Sequence, residues 1–259
     1  QHSQIIREII SSYLNLLASE KNQEAQEKTT SAEERLYQEM EHKYELEEIS
    51  YSDLIKQQND FRDAEIELEE IKDKYQHDLV DFKNSLKLEN DFELKNIGVP
   101  DYWDIGREEA LNQAFENSYL LKIKELEIEL SKKENQRDQL EAAEIDKKIA
   151  DISLKEAELA LEDEKDKLEK DVISAHLNLE QAAERIDLQQ NRVETAENDL
   201  DRVKKEAELG SATLNDIQQA EAAFLNQQAQ YIEMISNYYT AAEDLASLLN
   251  LEAGVIIDE

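Results

Sequence analysis

Cysteine is absent from this 259-residue sequence, proline occurs once and glycine four times. The first absence excludes disulfide staples and thiolate chemistry, though it fits many compartments. Scarce Pro and Gly remove the residues that punctuate loops, so long uninterrupted helices are expected. Aromatic residues amount to only 6 %. Positive charge is also short, with 29 Lys and Arg against 63 Asp and Glu for a net charge of −34. That balance repels phosphate and argues against a nucleic-acid role. It suits the solvated face of long helices or the wall of an acidic channel. No apolar run approaches the roughly 20 residues of a membrane-spanning helix. No secretory signal pattern opens at Gln1, which leaves a mature, trimmed or cytosolic chain.

What is present is charge at 36 % and a hydrophobic set at 40 %, much of it Ala and Leu, the composition of a helical bundle or coiled coil. The expected fold is all-α. Sustained apolar periodicity argues against disorder, the competing reading of so polar a chain. Residues 5–46 carry Ile5, Ile6, Ile9, Ile10, Tyr13, Leu14, Leu16 and Leu17 at helical spacing, then Leu36, Tyr37, Met40 and Leu46. Residues 53–95 resume with Phe61, Leu68, Tyr75 and Phe82 seven apart, the mark of a coiled-coil seam. Residues 96–106 hold the lone Pro, the lone Trp and two of the glycines, and read as a linker. Tyr102 and Trp103 there read as a packing plug rather than a ligand platform.

A third pattern opens at Arg107 and runs through Leu130, after which Ser131–Leu140 loses its apolar stripe. Another runs from Ile145 to Leu209, and a last one, with Phe224, Tyr231, Tyr238 and Leu245 seven apart, ends near Leu251. Two readings of 107–209 remain: one straight helix, or a reversal near 131–145. Loss of the stripe and matching helix lengths favour the reversal.

Between the last two patterns lies Leu209-Gly210-Ser211-Ala212-Thr213-Leu214-Asn215-Asp216-Ile217. Gly210 suits a left-handed helix end, while Thr213 and Asp216 form a weak capping-box signal. A tight turn between two antiparallel helices is expected. Moving back 163 positions gives Leu46-Glu47-Glu48-Ile49-Ser50-Tyr51-Ser52-Asp53-Leu54, the same layout with Glu47 in place of Gly210. The same offset, without gaps, pairs Leu14-Asn15-Leu16 with Leu177-Asn178-Leu179, Phe61 with Phe224, Tyr75 with Tyr238 and Asp81 with Asp244. A colinear set of Asn, Asp, Phe and Tyr is a duplicated helical hairpin. The division that follows is residues 1–95 as the first hairpin repeat, 96–106 as linker and 107–259 as the second repeat with its opening helix.

Chemistry-bearing constellations are weak. Glu39 and His42 match one Glu-x-x-His unit of a bundle di-iron site, but the offset partners are Arg202 and Lys205. A solvated helix face is the better reading. His2, His77 and His176 lack ligand spacing, and no Ser/His/Asp set, phosphate-binding Gly loop or Cys cluster occurs. No catalytic, cofactor-binding or metal-binding residues are assigned, and an enzyme is not expected.

The two turns and the helices that follow them (KYELEEISYSDLIKQQNDF and KKEAELGSATLNDIQQAEAAF), with the opening helix EEALNQAFENSYLLKIKELEIELSK, resemble the TolC family of outer-membrane efflux ducts. That family repeats a turn of the form Leu-Gly-x-x-Thr/Ser-x-x-Asp-Leu/Ile, and the resemblance covers nearly the whole chain. It implies a protomer of an α-helical barrel, a passive conduit in a tripartite efflux or type I secretion-like system of the cell envelope, trimeric and associated with the outer membrane when complete. It further implies that the turns are tips meeting a periplasmic adaptor and, through it, an inner-membrane transporter. Carried over by position, the tips are Leu46, Glu47, Ile49, Ser50 and Asp53, with Leu209, Gly210, Ser211, Thr213 and Asp216. Glu47 departs from the family Gly, so a different backbone path or weaker adaptor binding is expected at the first turn. The family's two membrane β-strands are missing between Leu130 and Ile145, so the chain is a barrel-less relative or lost its membrane part by trimming. A coiled-coil spacer of the envelope without a transport role is the alternative.

Overall fold

The computed structural model describes residues 2–88, 92–95, 98–141 and 143–251. Its elements are α1 (His2–Glu45), α2 (Tyr51–Leu86), α3 (Arg107–Asn117), α4 (Tyr119–Glu141), α5 (Glu144–Glu208) and α6 (Leu214–Leu248). No strand occurs among the described residues. With 65 residues, α5 is the longest element, about 97 Å at ~1.5 Å per residue. The all-α, two-hairpin expectation holds.

Two compact units result, one from residues 3–100 with 182–240, the other from 101–181 with the chain from 241 on. In the first unit, α1 and α2 form an antiparallel hairpin. Tyr13 packs against Phe82, Tyr37 stacks on Phe61, and Tyr44 meets Tyr51 across the turn. Gln57 Nε2 donates to Glu33 at 2.6 Å and Lys72 pairs with Glu27 at 3.1 Å. The end of α5 and the start of α6 pair likewise, through Gln189 and Gln227. Lys28 of α1 bridges to Glu221 of α6 at 2.8 Å. On those two helices the buried seam is small: Ala18, Ala25 and Ala32 on one, Ala222 and Ala229 on the other, at seven-residue spacing that lets backbones approach closely.

In the second unit α4 returns along α5. Asn135 Nδ2 donates to Asp151 at 2.8 Å, Lys132 reaches Glu158 at 3.7 Å and Lys165 reaches Glu125 at 4.0 Å. As one partner number rises the other falls, so the chain reverses between Glu141 and Glu144 and the straight-helix reading of 107–209 is excluded. Ala143 immediately precedes α5, its carbonyl accepting from the amides of Asp146 and Lys147 in the first turn.

Three boundaries differ from the sequence reading. The helix expected to run to 95 stops at Leu86, because Lys87 turns left-handed (φ 54°) and its amide returns to the Asn84 carbonyl. The last pattern, expected to end near Leu251, stops as a helix at Leu248, where Asn250 is left-handed (φ 53°). The opening helix breaks at Ser118, whose backbone is extended and whose hydroxyl accepts from the Leu121 amide, so it caps α4 while ending α3. In the linker, Ile105 is buried and its carbonyl meets His176 Nε2 at 2.8 Å, whereas Trp103 is half-buried and Tyr102 exposed.

Candidate functional site: the two helical turns

Each hairpin of the repeat reverses at a turn built from the same hydrogen bonds. At the first, the amide of Glu47 donates to the Tyr44 carbonyl (3.0 Å) and that of Glu48 to Lys43 (2.9 Å). At the second, Gly210 donates to Ala207 (3.0 Å) and Ser211 to Glu206 (2.8 Å). Both are Schellman ends, which satisfy carbonyls that a helix terminus leaves unpaired. The residue at the reversal is left-handed in both, Glu47 at φ 60° and Gly210 at φ 76°. The expectation of a different backbone path at Glu47 is therefore wrong. A helix end needs the same two bonds whichever residue supplies the dihedral, and the strain for an L residue is only about 1–2 kcal/mol.

The start of the returning helix is duplicated too. Asp53 N donates to Ser50 Oγ at 3.2 Å, while Ser50 N and Oγ donate to Asp53 Oδ2 at 3.2 and 2.6 Å. Asp216 N donates to Thr213 Oγ1 at 3.2 Å, while Thr213 N and Oγ1 each donate to Asp216 Oδ2 at 2.7 Å. These are complete reciprocal capping boxes with Asp in the place of Glu. The Ser50 hydroxyl and then its backbone amide hold the Asp53 carboxyl below its usual range. The Thr213 amide and then its hydroxyl do the same for Asp216.

All ten residues singled out from the sequence lie on these turns. Leu46 and Leu209 are 56 % and 84 % exposed. Glu47, Ser50, Asp53, Gly210, Ser211, Thr213 and Asp216 are exposed and Ile49 is half-buried. Sequence reasoning missed Tyr44 and Tyr51, whose rings tilt together across the first turn at 5.9 Å. Their placement five residues before and two after Ile49 was the available signal. It also missed a pair of repeat-matched clamps: half-buried Gln26 donates through Nε2 to the Ala64 carbonyl and buried Gln189 through Nε2 to that of Gln227, each partner shifted by 163.

The Glu39–His42 candidate does not assemble. Glu39 pairs with Lys43 at 2.6 Å, both Glu39 and His42 are exposed, and no group of three or more potential metal ligands occurs among the described residues. No described helix is long and apolar enough to cross a membrane.

Residues 124–251 match the family described as outer membrane efflux proteins. The chain is TolC-like. Among solved structures it resembles the CmeC outer membrane channel of Campylobacter jejuni (TM-score 0.58, 13 % identity), covering 99 % of this chain and 64 % of that one. It also resembles CusC (TM-score 0.64, 12 % identity, 96 % and 77 % covered) and the outer membrane protein VceC of Vibrio cholerae (TM-score 0.52, 14 %, 95 % and 69 %). At such identities the likeness is one of fold, and the TolC-like chain spans about two thirds of the CmeC channel's length. Comparison with the curated proteins finds no match.

Proposed function

We propose that this TolC-like chain is the helical duct component of an envelope efflux system, a passive conduit whose two turns dock a periplasmic adaptor. The observation that carries the reading is the bond-for-bond repetition of an exposed turn at the ends of two hairpins, in a chain with the family signature over 124–251. The sequence division into hairpin repeats (1–95 and 107–259, joined by 96–106) is part of this proposal, and the repeated helix ends support it.

Assembly from several copies, a trimer in the complete protein, is supported by a second apolar stripe on the second unit. The buried seam of α4 runs through Leu121, Ile128 and Asn135. Alongside it Tyr119, Ile123, Leu126 and Leu130 stay exposed, as do Ile145, Ile149, Ile152 and Leu159 on α5. The α4 stripe alternates by four and three residues and the α5 stripe steps by four, three and seven, both compatible with a coiled-coil seam, and both stay exposed in the described chain. A helix in a closed wall needs a seam on each side.

The test uses the full-length protein in the envelope. Photo-reactive residues at Leu46 and Leu209 are expected to cross-link the adaptor, and at Leu126 and Ile149 a second copy of the chain. Absence of adaptor adducts at both turns, with copy-to-copy adducts intact, would leave a structural spacer.

A further inference from the structure

Away from the turns, α1, α2 and α6 enclose a polar groove of about 460 Å³, within the range of roughly 300–1,000 Å³ that small-ligand sites take. It lies some twenty residues or more along each helix from the nearer turn, roughly 30 Å at ~1.5 Å per residue. From α1 it is lined by Ser12, Asn15 and Ser19, at steps of three and four that share one helix face. From α2 come Lys74, Asp78 and Asp81, and from α6 comes Glu233. Three carboxylates against one ammonium leave the lining a net charge of −2.

Ser19 is the side chain that decides. It is only 7 % exposed, yet its hydroxyl has no hydrogen-bond partner among the described residues. Thr29 and Thr240, by contrast, donate to the carbonyl one helical turn back. The repeat shows that the fold does not require a hydroxyl here. Shifted by 163, Ser12, Ser19 and Asp78 become Ala175, Ala182 and Ala241, and Ala175 and Ala182 are buried in their turn. A polar group kept in a buried place where alanine serves costs stability unless something hydrogen-bonds it.

We propose that this groove binds a small linear polyamine, its ammonium groups held by Asp78, Asp81 and Glu233 and its remaining N–H donors accepted by Ser19 and Asn15. The charge is complementary, and so is the spacing. Steps of three and four residues along a helix rise about 4.5–6 Å, and three- or four-carbon spacers part successive amines by about 5–6 Å at ~1.5 Å per bond. A bare metal cation would leave most of the groove and its neutral acceptors unused. Lys74, at one end of the row that Asp78 and Asp81 continue, repels the ligand and sets where it stops. This site is independent of docking at the turns.

The experiment is titration calorimetry of the full-length protein with spermidine at about 150 mM salt, where charges are screened beyond about 8 Å. One saturable site per chain is expected, with putrescine binding more weakly and equimolar Mg²⁺ failing to displace spermidine. Asp78→Asn should weaken binding about tenfold by removing a charge-assisted bond, and Lys74→Gln should tighten it about threefold by removing a like charge. Ser19→Ala should weaken it about fivefold while the urea midpoint holds or rises, because alanine relieves the unpaired hydroxyl. Asp73→Asn, on the same helix but outside the groove, removes the same charge and should change affinity less than about 1.5-fold through screened solvent. Binding without saturation, equal losses in Asp73→Asn and Asp78→Asn, or displacement by equimolar Mg²⁺ would mean only counterions gathered by a net charge of −34, and would overturn the proposal. A Ser19→Ala protein with a lowered midpoint, or with unchanged affinity, overturns it as well, since Ser19 would then be structural or idle.

Discussion

Glu47 and Gly210 occupy the same place in the same turn, and their difference separates two jobs that a helix reversal performs. The backbone job is identical: two Schellman bonds, a left-handed residue, a reciprocal cap three residues on. The surface job is not, since the first turn carries two exposed tyrosine rings and a glutamate at its apex, whereas the second carries no ring and a glycine at its apex. The comparison extends along the hairpins. Lys87 and Asn250, also 163 apart, are both left-handed, and both helix ends close with the same pair of amide bonds. Four helix termini therefore agree in geometry while their residues diverge. Geometry set by obligatory backbone pairing tolerates sequence change that side-chain contacts do not.

The largest expected effect tests the interior of this repeat. Gln189 is buried, donates to Gln227 at its carbonyl and side chain, and accepts from Arg192. Gln26 is half-buried and donates to Ala64 and Glu67 at 3.3 Å. Leucine at 189 strands the partners it leaves and should cost about 2–3 kcal/mol in urea denaturation, against about 1 kcal/mol for Gln26→Leu. Equal losses would mean the clamps differ less than their burial implies.

Next comes the apex itself. Gly210→Val meets no atom within 4 Å of the added Cβ, so its penalty is the dihedral alone, about 1–2 kcal/mol. With long paired helices on either side, overall helicity should persist while the turn shifts, read as a loss of adaptor cross-linking at Leu209. Glu47→Val starts from a residue already in that region and should cost less than about 1 kcal/mol. Glu47→Gly runs the other way, relieving strain and raising stability by up to about 1 kcal/mol, while it removes a carboxylate from the docking patch. Adaptor cross-linking at Leu46 that is unchanged in the Gly variant would show that the apex carboxylate plays no part in docking.

Much of this was legible because coiled-coil spacing and the 163-residue offset survive in Leu, Phe, Tyr and Asp positions. The α4–α5 reversal was legible only as a missing stripe, since Ala143 and its neighbours carry no breaker. The stop at Leu86 was hidden: Leu88 and Phe92 continue the apolar pattern, and Lys87 gives no hint of a left-handed backbone. Ser118 was hidden for a similar reason, as its hydroxyl serves a cap that only the backbone break creates. Periodicity was silent on partners as well. Leu126 and Ile149 lie within the apolar patterns of 107–130 and 145–209, yet they are exposed. A seam toward the same chain and a seam toward another copy have the same sequence signature.

Loss of either cap side chain should have matched effects. Ser50→Ala and Thr213→Ala each remove the hydroxyl that accepts from an Asp amide, at about 1 kcal/mol apiece. Amide exchange at the starts of α2 and α6 reports each separately. Unequal acceleration would show that one turn is braced by something beyond its capping box.

Acid is the gentlest probe, because Asp53 and Asp216 are fully exposed. Their carboxyls are held below the ordinary value of 3.8, by the Ser50 hydroxyl first in one case and the Thr213 amide first in the other. A carboxyl depressed in the folded state contributes stability that is fully present above its unfolded pKa and is lost as pH falls through the folded one. Both caps should therefore hold at pH 5 and weaken together below about pH 4, where protonation weakens the carboxylate acceptor of two bonds at each turn. The global response opposes this local one. The same acidification discharges the many other carboxylates behind the net charge of −34, relieving self-repulsion along the helices. Helicity measured over the whole chain should thus stay level or rise between pH 5 and pH 3. The amides of Asp53 and Asp216 should lose protection over the same interval, and the two carboxyl resonances should titrate below the ordinary aspartate range. If both titrate as free aspartates, the capping boxes are not populated in solution and the identity of the two turns rests on the Schellman bonds alone. If only one titrates low, the turns differ in backbone order as well as in surface.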